Sequence, residues 1–134
     1  MAIAARLTTK PYLASNKIFR IDPADPARFA PPQPIMVTPS PRPGYYGPIA
    51  LLLGHDSVSA AETFAMALQG RESKPVFIGE NTQGVFSDVM LRHLPNGWRI
   101  GVPNEIYLNE RGQAYDIVGV PPDVRMPLFT DADL

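Results

Sequence analysis

The chain has 134 residues, enough for one modest domain or for part of a larger one, but not for two. Its 12 basic and 13 acidic side chains leave a net charge of -1, which excludes the positive surface that nucleic acids and anionic membranes bind. The lack of cysteine excludes disulfides and thiolate chemistry, and no apolar run is long enough to span a bilayer.

Proline sets the first third of the chain apart. Proline accounts for 16 of the 134 residues, and ten of the 16 fall in residues 1–48. Each proline fixes φ and removes a backbone donor, so we expect residues 23–48 to form neither a long helix nor an inner strand. We interpret residues 1–48 as a Pro-rich extended segment of the same domain, anchored on another surface by its apolar residues. These are Phe29, Ile35, Met36, Val37, Tyr45 and Tyr46.

A strand–helix–strand pattern follows. Residues 49–53 are an apolar run that ends at Gly54 and predicts a strand buried on both faces. Apolar residues recur with helical spacing over residues 60–69, and Gly70 predicts a left-handed end to this helix. Residues 75–79 predict a second buried strand. This order predicts a βαβ unit and the α/β fold class.

The last third of the chain predicts a β-hairpin. Two extended runs, residues 86–94 and 98–102, flank Pro95-Asn96-Gly97. Asn-Gly between extended runs is a strong turn signal. Residues 106–108 predict a further strand before a turn at residues 110–112.

The polar corner at residues 54–62 is where the sequence could support chemistry. Ser59 stands between a predicted strand and the start of a helix, beside amides that carry the positive end of the helix dipole and can stabilise an oxyanion. The same residues fit a plain capping box, in which Ser59 caps the helix and Glu62 reaches back to it. Such boxes are common, and the Gly-x-Ser-x-Gly elbow is absent, so the local sequence alone favours the cap. Ser57 is a weaker candidate for either role.

Four sequence motifs, which follow one another along the chain, favour a catalytic serine over a plain helix cap. They are residues 47–52 continued by Ser57-Val58-Ser59-Ala60-Ala61-Glu62-Thr63-Phe64, then Ile78-Gly79-Glu80-Asn81-Thr82-Gln83-Gly84, then Leu94-Pro95-Asn96-Gly97, and finally Tyr115-Asp116 with Gly119-Val120-Pro121-Pro122-Asp123. Together they resemble the S41 serine peptidases, which include the carboxy-terminal processing (tail-specific) proteases, the tricorn core and the interphotoreceptor retinoid-binding protein modules. The resemblance implies a ClpP/crotonase-like α/β fold, with residues 49–126 as the C-terminal half of the catalytic domain and residues 127–134 as a tail.

The resemblance also implies roles for individual residues. Ser59 would be the nucleophile that attacks a peptide or protein substrate, and the backbone N–H of Ala60 would be one oxyanion donor. Asp116 matches the carboxylate that orients a histidine base in the tricorn-like branch, although glutamate is more usual there; the alternative is an aspartate that supports a turn. The lysine of the Ser/Lys processing proteases is replaced by Val85, and Lys74 precedes the second strand, so that dyad is excluded.

The general base is not predicted within this sequence. His55 and His93 do not match the family's histidine, which lies upstream of the matched segment together with a Gly-Gly loop that supplies the second oxyanion donor. We expect the histidine base and the Gly-Gly loop to come from a preceding half of the domain, so that this chain alone is inactive or nearly so. We expect no metal or organic cofactor, since two distant histidines do not make a zinc site.

The function, the oligomeric state and the cellular location stay open at this point. A noncatalytic ligand- or protein-binding module on the same fold is the main alternative, whereas a crotonase-like acyl-CoA enzyme would share the fold but not the motifs. Exposed core would favour a homo-oligomer or an exchange of elements between copies. No signal peptide is visible, while exported relatives leave an extracytoplasmic parent protein open.

Overall fold

A computed structural model describes residues 1–127, which form a 3-10 turn, one α-helix and eight strands. The predicted tail at residues 127–134 therefore lies, apart from Pro127, outside the described residues. The predicted α/β class, with a βαβ core and a hairpin, is confirmed. In chain order the elements are β1 (Tyr12–Phe19), β2 (Gln33–Val37), β3 (Ala50–Leu53), α1 (Ala60–Gln69), β4 (Val76–Gly79), β5 (Val89–His93), β6 (Arg99–Pro103), β7 (Glu105–Leu108) and β8 (Val124–Arg125).

The first 48 residues contribute two strands of a three-stranded antiparallel sheet with the order β2-β1-β7. β2 contains Pro34 and lies at the edge of this sheet, as the proline pattern requires, because a missing donor is tolerated there. The sequence patterns did not predict the central strand, β1. Its run Tyr-Leu-Ala-Ser-Asn-Lys-Ile-Phe has a polar middle and no period-two alternation, so tertiary pairing decides its conformation.

The second sheet is parallel, with the order β3-β4-β8, and α1 connects its first two strands as the predicted βαβ unit. Leu53 and Phe77 are buried on one face, whereas Leu52 and Val76 on the other face are 69% and 47% exposed. The prediction that residues 49–53 are buried on both faces is therefore wrong. The apolar composition makes both faces suited to burial, but within residues 1–127 the second face stays mostly exposed, although Ile78 is half-buried there.

The helix begins and ends at the predicted residues, but it does not end in the predicted way. Gly70 has φ -80° and ψ -1°, so it is right-handed. Glycine is needed there for a different reason. A Cβ at Gly70 would lie 2.6 Å from the carbonyl oxygen of Leu13 and 2.9 Å from the Tyr12 ring, so the helix end approaches β1 more closely than any side chain allows.

The hairpin is confirmed, since β5 and β6 pair antiparallel around a turn in which Gly97 has φ 84°. All ten residues of the two strands are exposed, and the hairpin forms a sheet of its own. β7 is the predicted further strand, and it belongs to the first sheet. Within residues 1–127, no helix has the length and apolar character needed to cross a membrane.

Candidate active site

Ser59 lies on a sharp turn between β3 and α1. The turn is closed by hydrogen bonds from the Ser57 N–H to the Gly54 carbonyl (2.8 Å) and from the Gly54 N–H to Ser57 Oγ (3.3 Å). Ser59 is exposed and has φ 55° and ψ -108°. Positive φ is uncommon for a residue with a side chain and is found preferentially at functional sites. The corner therefore presents a serine hydroxyl at the carboxyl end of a parallel strand on a strained backbone.

The carboxylate of Glu62 holds this corner in place. Glu62 is fully buried on the first turn of α1. Its Oε2 accepts hydrogen bonds from the backbone N–H groups of Ser59 (3.0 Å) and Val85 (2.8 Å). Its Oε1 accepts from the Thr82 hydroxyl and the Gly84 N–H, both at 2.6 Å. One carboxylate thus ties the Ser59 turn to the segment at residues 82–85.

Ser59 and Glu62 are arranged as the predicted capping box, in which the Ser59 N–H donates to Glu62 Oε2 at 3.0 Å. The Ser59 N–H also donates to the Val85 carbonyl at 3.0 Å, so this amide is fully engaged. The Ala60 N–H, by contrast, has no acceptor within residues 1–127. One amide at the positive end of α1 is therefore uncommitted, next to the exposed Ser59 hydroxyl.

Asp116 lies in the segment between β7 and β8, which packs on the turn that Glu62 holds. The Ile117 N–H donates to the Gly84 carbonyl at 2.8 Å, and a Cβ at Gly84 would lie 2.6 Å from the carbonyl carbon of Ile117. Asp116 Oδ2 is buried and has no hydrogen-bond donor within residues 1–127. Burial raises the pKa of the Asp116 carboxyl, the Asp116 N–H partly offsets this, and the nearby charge of Glu62 raises the pKa further.

The half-buried Asp116 side chain lines a cavity of about 430 Å³ together with Arg20, Ser87, Glu105 and Ile117. A larger cavity, of about 920 Å³, lies between residues 2–7 and 38–45 and includes neither Ser59 nor Asp116. The smaller cavity is the one with chemical interest, because its wall carries a carboxyl group with an oxygen that has no donor.

All three lysines, at positions 10, 17 and 74, form ion pairs with carboxylates. Lys74 lies 3.2 Å from Asp123, and Lys17 lies 2.9 Å from Glu105. Burial lowers the pKa of Lys17, but hydrogen bonds with Tyr107 and Glu105 outweigh it, so the net pKa is raised. A lysine with a raised pKa stays protonated and cannot act as a base.

The remaining candidate residues are exposed. Val85, at the position of the lysine in the Ser/Lys dyad, projects to solvent, although its backbone binds both Ser59 and Glu62. His55 lies in the exposed loop after β3, and His93 lies at the exposed end of β5. No hydrogen bond within residues 1–127 joins either histidine to Ser59.

The structure brings Ser59, Ala60 and Glu62 together with residues 82–85, and it packs the Asp116 segment against the same turn. Sequence reasoning missed the role of Thr82, whose hydroxyl donates to Glu62 and accepts from the Val120 N–H at 2.7 Å. The sequence signal for this contact is a Thr-x-Gly sequence that follows Ser-x-x-Glu within the same βαβ unit. These residues form a buried polar network behind the exposed serine.

The sequence profile of Peptidase family S41 matches residues 6–126, so the chain belongs to this family. The match covers both the Ser59 corner and the Asp116 segment. A peptidase-like fold is therefore the class that the sequence and structure define.

Solved structures share this fold. A predicted peptidase from Parabacteroides merdae is 23% identical, with a TM-score of 0.87, and the match covers 98% of this chain and 41% of that one. Mature CPAF complexed with lactacystin is 16% identical, with a TM-score of 0.83, covering 98% of this chain and 37% of that one. A photosystem II D1 C-terminal processing protease is 20% identical, with a TM-score of 0.63, covering 92% and 29%. The chain thus spans less than half the length of each.

Proposed function

We propose that this chain supplies the nucleophile-bearing part of a serine endopeptidase catalytic domain, with Ser59 as the nucleophile. The observation that carries the proposal is the exposed Ser59 at positive φ, whose amide is fixed by Glu62 and Val85 at the start of α1. A backbone fixed at this point holds the hydroxyl in one position relative to the helix amides, as nucleophilic attack requires. The substrate would be a peptide or protein.

The chemistry would be acyl transfer. Ser59 Oγ attacks the scissile carbonyl carbon while a base takes the hydroxyl proton, and the Ala60 N–H donates to the oxyanion that forms. The C–N bond then breaks, and the base gives its proton to the leaving amine. Water attacks the acyl-enzyme by the same route, releasing the new carboxyl end of the peptide and restoring Ser59. No step requires a metal or an organic cofactor.

A histidine from outside these residues would be the base, and Asp116 would orient it. The buried Asp116 Oδ2 without a donor supports this role, because an imidazole N–H that entered the neighbouring cavity could donate to it. A carboxylate in this position also stabilises the imidazolium that forms during attack. The second oxyanion donor would likewise come from outside the chain, and the coverage of 29–41% of the solved structures leaves room for both groups.

A fluorophosphonate probe, which reacts with activated serines, tests this proposal. On the full-length protein we expect labelling that Ser59→Ala abolishes and that Ser73→Ala, a matched change at an exposed serine outside this corner, retains. On the 134-residue chain alone we expect no labelling, because loss of the base reduces nucleophilicity by orders of magnitude. A folded full-length protein that is not labelled, or is still labelled after Ser59→Ala, would refute the proposal.

A noncatalytic binding module on the same fold remains the second candidate. The observation that favours it is Val85, which carries no ionisable group at the position where processing proteases have their catalytic lysine. The same probe separates the two functions, since a binding module would be folded, would bind peptide and would leave the probe unreacted.

A further inference from the structure

The β5–β6 hairpin is a largely apolar ribbon, and within residues 1–127 no third strand is hydrogen-bonded to it. Its exposed apolar side chains include Leu91, 56% exposed, and Trp98 at the turn, 72% exposed. An isolated two-stranded hairpin is only marginally stable in water. The remaining exposed apolar side chains lie on both faces of the ribbon or at its turn; they are Val89, Met90, Leu94, Ile100 and Val102.

The hydrogen-bond register shows which backbone groups of β5 are unused. The Leu94 N–H donates to the Trp98 carbonyl at 2.8 Å, so hydrogen-bonded pairs with β6 recur every second residue from there. The N–H and C=O groups of Val89, Leu91 and His93 consequently point away from β6. Pro103 agrees with this assignment, because it pairs with Val89 and has no N–H to offer a partner.

The outer edge of β5 lacks the features that block pairing along β2 and β6. The outer edge of β6 includes Pro103, and the edge strand β2 contains Pro34 and faces a register shift in β1. β5 has no proline and no bulge over its five residues. Natural proteins usually protect an apolar edge strand by such features unless the edge is used for pairing.

We propose that β5 pairs antiparallel with β5 of a second copy of this chain, about a twofold axis at Leu91, to form a four-stranded sheet. In this register Leu91 faces Leu91 of the partner subunit, and Val89 faces His93 of the partner subunit. All of these residues have outward-pointing backbone groups, so every available donor and acceptor is used. Arg92 faces Met90 of the partner subunit, so no like charges oppose each other. The edge is therefore self-complementary, which is the requirement for a closed twofold dimer.

A charge swap at the twofold axis tests the register. Leu91→Lys and Leu91→Glu each place two like charges opposite each other, and we expect each variant to raise the dissociation constant of its homodimer at least about tenfold. A mixture of the two variants places opposite charges together, and we expect a heterodimer in sedimentation velocity. Val102→Lys is the matched control, because Val102 is also exposed but lies on β6, away from the seam, and pairs with the uncharged Met90.

Amide hydrogen exchange on the unsubstituted chain gives an independent measurement. Protection at Leu91 should increase with protein concentration, whereas protection at Met90 and Arg92, whose amides face β6, should not. Far-UV circular dichroism of the variants separates loss of pairing from loss of folding. A monomer at every concentration, a dimer that persists in Leu91→Lys, or a mixture that fails to restore pairing would overturn the proposal. Concentration-independent protection of Leu91 in a monomer would mean that another part of the same chain covers this edge.

Discussion

The two faces of the parallel sheet differ sharply in how much of their apolar surface is buried. On one face Phe77 and Leu53 are buried, in the same core as Met66 and Leu68 of α1. On the other face Leu52, Val76 and Val124 are apolar and exposed. Parallel sheets are almost always covered on both faces. Within residues 1–127, the chain therefore buries one face of this sheet and leaves most of the other face exposed.

The exposure of the second face agrees with the small share of the matched structures that this chain spans. The matched structures continue well beyond the part that this chain spans, so they have additional chain with which to cover a second face. The Ser59 corner lies at the carboxyl end of β3, where ligands of open α/β sheets bind.

The largest expected effect on stability is at Phe77, and the comparison is with its neighbour Val76 on the opposite face of β4. Phe77 is 1% exposed, and we expect Phe77→Ala to lower the free energy of unfolding by about 3–5 kcal/mol through lost burial and a cavity. Val76→Ala removes an apolar side chain from the open face, and its effect should stay within about 0.5 kcal/mol. Urea denaturation of the 134-residue chain measures both values. Comparable losses at the two positions would mean that the open face is covered in solution.

Local patterns predicted the elements whose sequence signals are local. The helical spacing over residues 60–69 and the Asn-Gly turn at residues 96–97 each fix their element within a few residues of chain. β1 was not predictable in this way, because its pairing with β2 and β7 decides its conformation. The exposure of Leu52 was equally hidden, since the sequence of a strand reports what it could bury and not which face the chain covers.

For the candidate site, the sequence motifs made Ser59, Ala60 and Asp116 candidates, and the structure shows which contacts hold the Ser59 corner. The Ser-x-x-Glu pattern has a cap as its local explanation. The four-way hydrogen bonding of Glu62 depends on Thr82, Gly84 and Val85, which follow only after the next strand. Contacts of this range are not encoded by spacing on one helix. The positive φ of Ser59 was likewise invisible, because serine carries no compositional signal for a left-handed backbone.

The second-largest expected effect on stability is at Glu62, and it tests whether the buried side of the molecule also depends on polar contacts. Glu62→Ala leaves buried donors of Thr82, Gly84 and Val85 without an acceptor, and we expect the free energy of unfolding to fall by about 2–4 kcal/mol. The matched control is Glu72→Ala, since Glu72 forms only an exposed ion pair with Lys10 and should contribute less than about 0.5 kcal/mol. Guanidinium denaturation measures both variants. A loss at Glu62 no larger than the loss at Glu72 would show that the network is not structurally important.

The smallest effect concerns the pH dependence of stability at Asp116. Burial and the charge of Glu62 raise the pKa of Asp116 above its ordinary 3.8 in the folded state. The folded protein therefore binds this proton more tightly than the unfolded chain, and ionisation of Asp116 destabilises the fold as pH rises through this interval. We expect Asp116→Asn to be more stable than the parent chain at pH 7 and equal to it well below pH 3.8, measured as the midpoint of thermal unfolding.

Asp123→Asn should show the opposite sign, which makes the pair a matched test. The Asp123 carboxylate accepts a hydrogen bond from the Phe77 N–H at 2.9 Å, and this bond, assisted by Lys74, lowers the pKa of Asp123. Its ionised form stabilises the fold at pH 7, and this contribution is lost as pH falls below 3.8 and through the lowered pKa. Asp123→Asn should therefore be less stable than the parent at pH 7, with the difference vanishing in acid. If Asp116→Asn is also destabilising at neutral pH, Asp116 supports the fold as a turn-forming residue. If Asp116→Asn is stabilising, the ionised carboxylate of Asp116 lowers the stability of the fold, as expected of a group kept to orient a base.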